Sequence, residues 1–334
     1  MPVTVAVDAN GADMGAAEVA AGAALAAVEG VNVLLFGPAA QMGAPGPGVE
    51  VRDTPLSVAK DPDPARAVRS NPEASVVQAA GAVASGQADA LVAGGSTGAV
   101  LAAGLFEIKR APGIYRPALA IPVPVPDHPV TLLDVGANAE VRSEHLVQFA
   151  YMGAAFSTAV LGVERPRVAL LSNGEEAARG TPEVVAAHEQ LAAGAGLEFV
   201  GNVEGTDITS GVADVVVTDG FTGNIAIKLS EGVSATMIAA IRTRVESSLR
   251  SKLGGLLIRP ALRGLRDELD PETSGGAYLL GLRGTVVVPH GRFTRRGYAN
   301  AILLAARAVE GEMAQRTHAA LEAAGALRRP APAR

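Results

Sequence analysis

Short aliphatic and β-branched runs alternate along this chain with longer Ala-rich stretches, and Gly or Pro separates most of them. Runs bounded by turn residues read as strands, and Ala-rich segments with apolar residues three and four apart read as helices. The strands expected are Val3–Val7, Val31–Phe36, Ala90–Ala93, Ala118–Val125, Val130–Asp134, Arg167–Leu171, Leu197–Gly201, Asp214–Val217 and Gly284–Val288. Pro122, Pro124 and Pro126 cannot donate to a ladder, so they place the strand from Ala118 near a sheet edge. Helices are expected over Ala16–Glu29, Asn71–Ser85, Gly98–Lys109, Ser143–Leu161, Thr181–Gly194 and Tyr298–Ala323. Asn71-Pro72-Glu73 and Thr181-Pro182-Glu183 each offer a side-chain cap, a proline suited to the first turn and an acid at the positive end of the helix dipole. From Gly223 the chain reads as helical to Glu268, interrupted at Gly254–Gly255 and at Pro260.

Strands alternating with helices predict an α/β fold, a mostly parallel sheet sandwiched by helices. No Gly/Ser-rich or Pro-rich linker divides the chain, so 1–334 is expected to form a single unit, with 231–275 as a helical protrusion. The Pro-rich tail, Arg329–Arg334, is expected to fray. Two uncharged stretches, Ala90–Phe106 and His145–Val163, carry too many Gly and polar residues to span a bilayer, and the N-terminus has no cationic leader. A cytoplasmic protein is the expectation.

Composition narrows the chemistry. The chain has no Cys, which excludes disulfides, thiolate metal sites and a cysteine nucleophile, and its 5 His show no zinc spacing. No metal and no cofactor are expected. The net charge of -6 conceals an asymmetry: Arg242–Arg266 carries +6 and the rest of the chain -12. A basic segment on an acidic protein points to a local anionic partner and not to nucleic acid.

Four junctions share one grammar, an apolar strand followed by a Gly-containing polar turn and a helix: Ala93–Ala99, Asp134–Asn138, Ser172–Glu176 and Thr218–Asn224. Gly admits backbone amides close to a ligand and the helix dipole adds positive character, so such turns hold anions. Every α/β protein also has turns of this kind for purely architectural reasons. Together, with Ser96, Thr97, Asn138 and Asn224 as donors, they predict one phosphate-handling site where strand ends meet helix starts. Neither G-x-G-x-x-G nor G-x-x-x-x-G-K-[ST] occurs, so dinucleotide and P-loop readings lack their fingerprint. Asp8, Asp13, Asp134, Glu175, Glu176 and Asp219 fall at strand ends, where some carboxylates serve only as helix caps. His290 follows the last strand and is placed to reach the same edge. Lys228, one of four Lys in the chain, stands one helical turn after Asn224 on the same face.

Ordered motifs then stand out: Val7-Asp8-Ala9, Gly98-Ala99, Arg116-Pro117-Ala118, LLDVGAN at 132–138, HLVQFAYMG at 145–153, GNVEG at 201–205, ADVVVTDGFTGN at 213–224, GGAYLLG at 275–281 and His290-Gly291. Their order resembles the PlsX-type phosphate acyltransferases over nearly all of Val3–Ala308. The resemblance implies a fold like the isocitrate and isopropylmalate dehydrogenases and the phosphotransacetylases, a homodimer, and conversion of acyl-[acyl-carrier-protein] and inorganic phosphate to acyl phosphate for glycerolipid synthesis. Three departures stand against it. Met14 occupies the place of a family His after Asp13, Ser172-Asn173-Gly174 replaces the family's Asn-Ile/Val-Gly, and Arg179 replaces a Lys. Arg cannot relay a proton, but its fork suits an oxyanion or phosphate, so the last exchange reads as electrostatic.

Phosphorolysis of a thioester asks mainly for alignment of an anion and stabilisation of a carbonyl oxyanion. On this reading Gly95, Ser96, Thr97, Gly98 and Asn138 bind phosphate, with Asp8 and His290 at the substrate site. Arg179, Asn224 and Lys228 stabilise phosphate and oxyanion, and Asp219 and Glu175 orient those donors. Residues 249–269 combine Leu253, Leu256, Leu257, Ile258, Leu262 and Leu265 with Arg250, Lys252, Arg259, Arg263 and Arg266, the composition of an interfacial helix. Three partners are open for them: an anionic membrane, the acyl carrier protein, or the second subunit. Two rivals remain, a phosphotransacetylase-like enzyme using acyl-CoA and a non-catalytic membrane-docking scaffold.

Overall fold

The computed structural model describes residues 2–125, 129–268 and 270–328. Pro126 and the tail 329–334 lie outside the described residues. The strands are β1 (Thr4–Asp8), β2 (Asn32–Gly37), β3 (Val49–Asp53), β4 (Ala90–Ala93), β5 (Ala118–Val123), β6 (Val130–Leu133), β7 (Arg167–Leu171), β8 (Glu198–Val203), β9 (Val215–Val217), β10 (Ala277–Leu280) and β11 (Thr285–Val288). The helices are α1 (Ala16–Val28), α2 (Ala39–Met42), α3 (Pro64–Ser70), α4 (Ser75–Ala84), α5 (Thr97–Ala103), α6 (Ser143–Leu161), α7 (Pro182–Ala193), α8 (Gly220–Glu246), α9 (Leu249–Glu268), α10 (Arg295–Glu310) and α11 (Met313–Ala323). A single 11-stranded sheet runs in the order β3-β2-β1-β4-β11-β10-β5-β6-β9-β7-β8.

The sheet is parallel within two blocks, but the blocks oppose each other. β3, β2, β1, β4 and β11 run one way; β10 pairs antiparallel to both β11 and β5, and β5 pairs antiparallel to β6. β6, β9, β7 and β8 therefore run the other way. Helices α1, α6, α7, α10 and α11 cover one face. α3, α4, α5 and the start of α8 cover the other. The core is built of Ala, Val and Leu with a few buried rings, Tyr278, Tyr298, Phe149 and Phe156.

Several expected boundaries shift for physical reasons. β5 is central, not near an edge. β10 pairs with it only from Ala118 to Ala120, so Pro122 falls past the stretch where that neighbour would need its missing N–H. Asn71 closes α3 instead of opening α4, its Nδ2 donating to the Ala67 carbonyl at 2.7 Å. Thr181 does cap α7, with its hydroxyl accepting from the Val184 amide. α9 runs unbroken through Gly254, Gly255 and Pro260, and the chain turns earlier, at Ser247–Ser248. α8 and α9 form an exposed arm from Lys228 onward. The side chains of Leu262, Leu265 and Arg266, and the whole of Leu269, are outside the described residues. No described helix is long and apolar enough to cross a membrane.

Candidate active site

The opposed blocks divide the expected site residues between two edges. The ends of β1, β4 and β11 bring Asp8, the 94–98 turn and His290 to one edge, called here the upper. The ends of β6, β7 and β9 bring Asn138, Glu175, Arg179 and Asp219 to the lower edge. The expectation that the four Gly-containing junctions build one edge site is therefore corrected. Strand direction within each block is legible from strand–helix alternation, whereas the reversal at β10, β5 and β6 is not.

At the upper edge two backbones cross without side chains between them. Gly95 has φ +93, and a Cβ there would stand 1.9 Å from the Gly11 carbonyl oxygen. A Cβ at Gly11 would likewise meet the Gly94 oxygen at 2.2 Å. Ser96 caps α5 by accepting from the Ala99 amide at 3.3 Å. The amides of Ser96, Thr97 and Gly98 find no acceptor among the described residues, and Gly95, Thr97 and Gly98 are exposed. His290 is exposed, its Nδ1 accepting from the Arg292 amide at 3.2 Å, which leaves Nε2 toward solvent. Asp8 is buried beneath the turn, and burial pushes its carboxyl up to about 6.

The lower edge is organised by a residue outside the expected site set. Asp134 is fully buried and its Oδ1 accepts from the amides of Leu119, Gly136 and Ala137 at 3.0, 3.1 and 2.9 Å. Its Oδ2 accepts from the Asn138 amide at 2.8 Å and from Asn138 Nδ2 at 2.7 Å. Asn138 Nδ2 also donates to the Pro117 carbonyl at 2.7 Å. Every donor of Asn138 is thereby engaged, so the residue fixes the turn and does not bind phosphate. Asp219 is corrected in the same way. Its Oδ1 accepts from the amides of Phe221 and Thr222 and its Oδ2 from the Thr222 hydroxyl, so it caps α8 and orients none of the expected donors. With the Gly220 amide on the Asn138 carbonyl, the start of α8 is closed to anions.

Arg179 is 59% exposed, and its Nε lies 3.4 Å from Glu176, so Glu176 and not Glu175 is its partner. Glu175 is exposed without a partner among the described residues. Arg116 stands in one of the quoted motifs, although no role was expected of it. It is exposed, has no ion pair among the described residues, and follows Tyr115 on the segment whose next carbonyl Asn138 holds. His145 senses it: burial first, then the charges of Arg116 and Arg142, hold its imidazole below the ordinary range.

α8 links the two edges. It leaves β9 at the lower edge and climbs the face that α5 descends, both packing into the same apolar layer. At ~1.5 Å per residue Lys228 stands about 12 Å above Gly220, close to the ~13 Å that β5 covers from Leu119 to Val123. Lys228 is exposed, and half-buried Asn224 stands one turn before it on α8. Neither side chain has a hydrogen bond or ion pair among the described residues. Half-buried Leu101, Ile121, Val125 and Ile227 pack against the apolar cluster of this face. The arrangement joins unspent donors and a cation to an apolar surface, which suits an anion meeting an acyl group. Among the described residues no group of three or more His, Asp and Glu gathers as a metal set.

A profile described as "Fatty acid synthesis protein" matches residues 3–316. The phosphate acyltransferase of Moorella thermoacetica is 41% identical over 312 residues, covering 91% of this chain and 92% of its own. That of Thermus thermophilus is 42% identical over 323 residues, covering 96% and 98%. The chain belongs to the PlsX-type phosphate acyltransferase family. It is accordingly an acyltransferase of fatty acid and phospholipid synthesis, which sets aside the scaffold reading. Among solved structures, the EutD phosphotransacetylase from Staphylococcus aureus has a TM-score of 0.61 at 20% identity, covering 92% of this chain and 94% of its own. A 4-hydroxythreonine-4-phosphate dehydrogenase from Klebsiella pneumoniae has a TM-score of 0.55 at 15% identity, covering 92% and 98%. These likenesses concern the fold, the expected helix-sandwiched, mostly parallel sheet.

Proposed function

We propose that this family member transfers a fatty acyl group from acyl-[acyl-carrier-protein] to inorganic phosphate, giving the acyl phosphate used in phosphatidic acid synthesis. What supports the reading is two sets of unspent donors, Asn224 and Lys228 on α8 and the open amides of Ser96, Thr97 and Gly98 at the start of α5. Phosphate sits on those amides, and the acyl chain lies along the apolar side chains of the same face. Asn224 and Lys228 steady the anion and the developing carbonyl oxyanion, where one donor is worth roughly 3 kcal/mol. Purified protein given acyl carrier protein thioester should form hydroxylamine-trappable acyl phosphate only when phosphate is present. Absence of that product overturns the reading. The phosphotransacetylase fold keeps acyl-CoA as the second reading, and faster turnover with acyl-CoA than with carrier-protein thioester would favour it.

Asn224→Ala and Lys228→Ala should each lower kcat/KM for phosphate by about 10²-fold with the melting temperature unchanged. Arg179→Ala should cost less, because Arg179 stands at the lower edge with its Nε paired to Glu176. Equal losses in steady-state assays would return Arg179 to the centre of the chemistry.

The arm supplies the partners. Phe221, Ile225, Leu229, Val233, Met237 and Ile241 recur every fourth residue along α8, all exposed, and a second copy of the chain covers them in a homodimer. On α9, exposed Leu249, Leu253, Leu256, Leu257 and Ile258 stand among Arg250, Lys252, Arg259 and Arg263, suited to an anionic membrane surface. Replacing Leu257 and Ile258 with Glu should abolish co-sedimentation with anionic vesicles while leaving turnover of soluble substrate intact. Unchanged sedimentation would remove the membrane role.

A further inference from the structure

A buried acidic chamber lies directly under the Gly94–Gly98 turn. Asp8 is 3% exposed, its Oδ1 accepts from the Asn10 amide at 3.0 Å, and Ser75 donates to it from α4. No basic side chain among the described residues neutralises it. β2 and β4 place only Phe36 and Ala93 beside it, and the 54–58 segment adds Ser57. The titratable groups nearby are Tyr298 on α10, Asp13 on the same loop, and His290 beyond Asp13 after β11. Tyr298 Oη is buried with no hydrogen-bond partner and lies so close to Gly94 that a Cβ there would meet it at 2.2 Å. Asp8, Ser57, Ser75, Gly94 and Ser96 share a cavity of ≈ 10 Å³, which is room for one water.

A carboxylate without a counter-charge is costly to bury, and so is a hydroxyl without a partner. Both sit beneath the turn whose outer amides are open, and Ser96 belongs to both sides of it. A structural carboxylate in this fold looks different: Asp134 fills both oxygens with backbone and amide donors. We propose that Asp8, reached through a water in this cavity and Ser96, receives the proton that phosphate gives up as it attacks the thioester. The inference rests on the acyl-transfer reading above. An oxygen of hydrogen phosphate bonds to the carbonyl carbon, the carbon–sulfur bond breaks, and its electron pair leaves with sulfur. The proton from phosphate passes to Asp8 and then to the thiolate, so acyl phosphate and free thiol are the only products. Asp8 acts through other groups and does not touch the reacting atoms.

The test is the pH dependence of kcat/KM for phosphate with carrier-protein thioester in the whole protein. In the wild type an ascending limb is expected with its midpoint near 6, the value to which burial brings Asp8. Ser75→Ala removes a bond that favours the ionised form, so the midpoint should rise by about one pH unit. The rate would then fall about five-fold at pH 6 and hardly at all at pH 8. Asp8→Asn should lose the limb and lower the plateau by about 10²-fold. Rates are expressed per hydrogen phosphate dianion, so that phosphate's own ionisation does not contribute to the limb. An unmoved midpoint in Ser75→Ala overturns the proposal even where Asp8→Asn does not fold, and so does a retained limb in a folded Asp8→Asn protein. A wild type that makes no acyl phosphate at any pH would instead fail the functional reading itself.

Discussion

Asp134→Ala is expected to be the most destabilising single change in this protein outside the hydrophobic core. It strips the acceptor from the amides of Leu119, Gly136, Ala137 and Asn138, and from the Asn138 side chain, of which Leu119 and Asn138 are buried. A buried donor left unpaired costs about 1–3 kcal/mol, and these losses overlap, so about 4 kcal/mol in total is expected. For a chain of this size that lowers the melting temperature by roughly 6 °C. Asp134→Asn should fall between: its amide oxygen can replace Oδ1, while its NH2 then confronts the two Asn138 donors. Activity should follow stability downward, because the Asn138 carbonyl that this carboxylate positions also takes the first amide of α8. Thermal melts of the three proteins check the order, and a melting point for Asp134→Ala within about 1 °C of wild type would contradict the account.

Gly95→Ala should cost turnover as heavily as the loss of either α8 donor, and stability besides. The new methyl group would meet the Gly11 carbonyl, and neither partner is a flexible side chain. The two loops must part, and the residue must also hold φ +93 against its Cβ, which adds about 1–2 kcal/mol. Parting the loops displaces the Ser96–Gly98 amides by about an ångström or more, a misplacement that costs about 10²-fold in rate. Gly86→Ala is the control, since its φ is +77 but nothing lies within 4 Å of the added carbon. It should show the conformational strain without the loss of rate. The comparison is read as kcat/KM for phosphate beside the melting temperature. A Gly95→Ala protein within about three-fold of wild type would mean that the crossing of these loops does not hold the phosphate amides.

What the sequence conveyed about the fold follows from which forces act locally. Ser143 and Thr181 announce α6 and α7 because a helix start is decided by a few adjacent residues. Asn71 carries the same signal but sits one short helix too early, where its amide serves the carbonyl of Ala67 instead. β10 escaped because Ala-Tyr-Leu-Leu, buried throughout, has no alternation to mark it as a strand. Direction and neighbour order in a sheet are long-range properties, so nothing near Pro122 could tell that β5 lies at the centre. The site was legible by residue type and less so by role. Asn224 and Lys228 share a helix, one turn apart, as their spacing implied, and their donors are unspent. Asn138 and Asp219 are the right residues for binding an anion in isolation, but Asp134 and the first turn of α8 had already claimed them. A claim of that kind is visible only when partners distant in sequence are in place.

The position of β11 has a consequence for how the chain is made. β11 lies between β4 and β10, and α10 packs across β1 and β4, yet both come from the last fifth of the sequence. As the chain emerges from a ribosome, residues 118–217 already hold the adjoining strands β5, β6, β9, β7 and β8 and can settle as a block. The segment before them likewise holds the adjoining strands β3, β2, β1 and β4. β4 keeps a bare, apolar edge until Val288 has emerged, and β5 keeps one until Leu280 has, so both blocks wait on the antiparallel pair β10–β11 to be joined. The interval before that pair emerges is the period when two open sheet edges make this protein most exposed to aggregation.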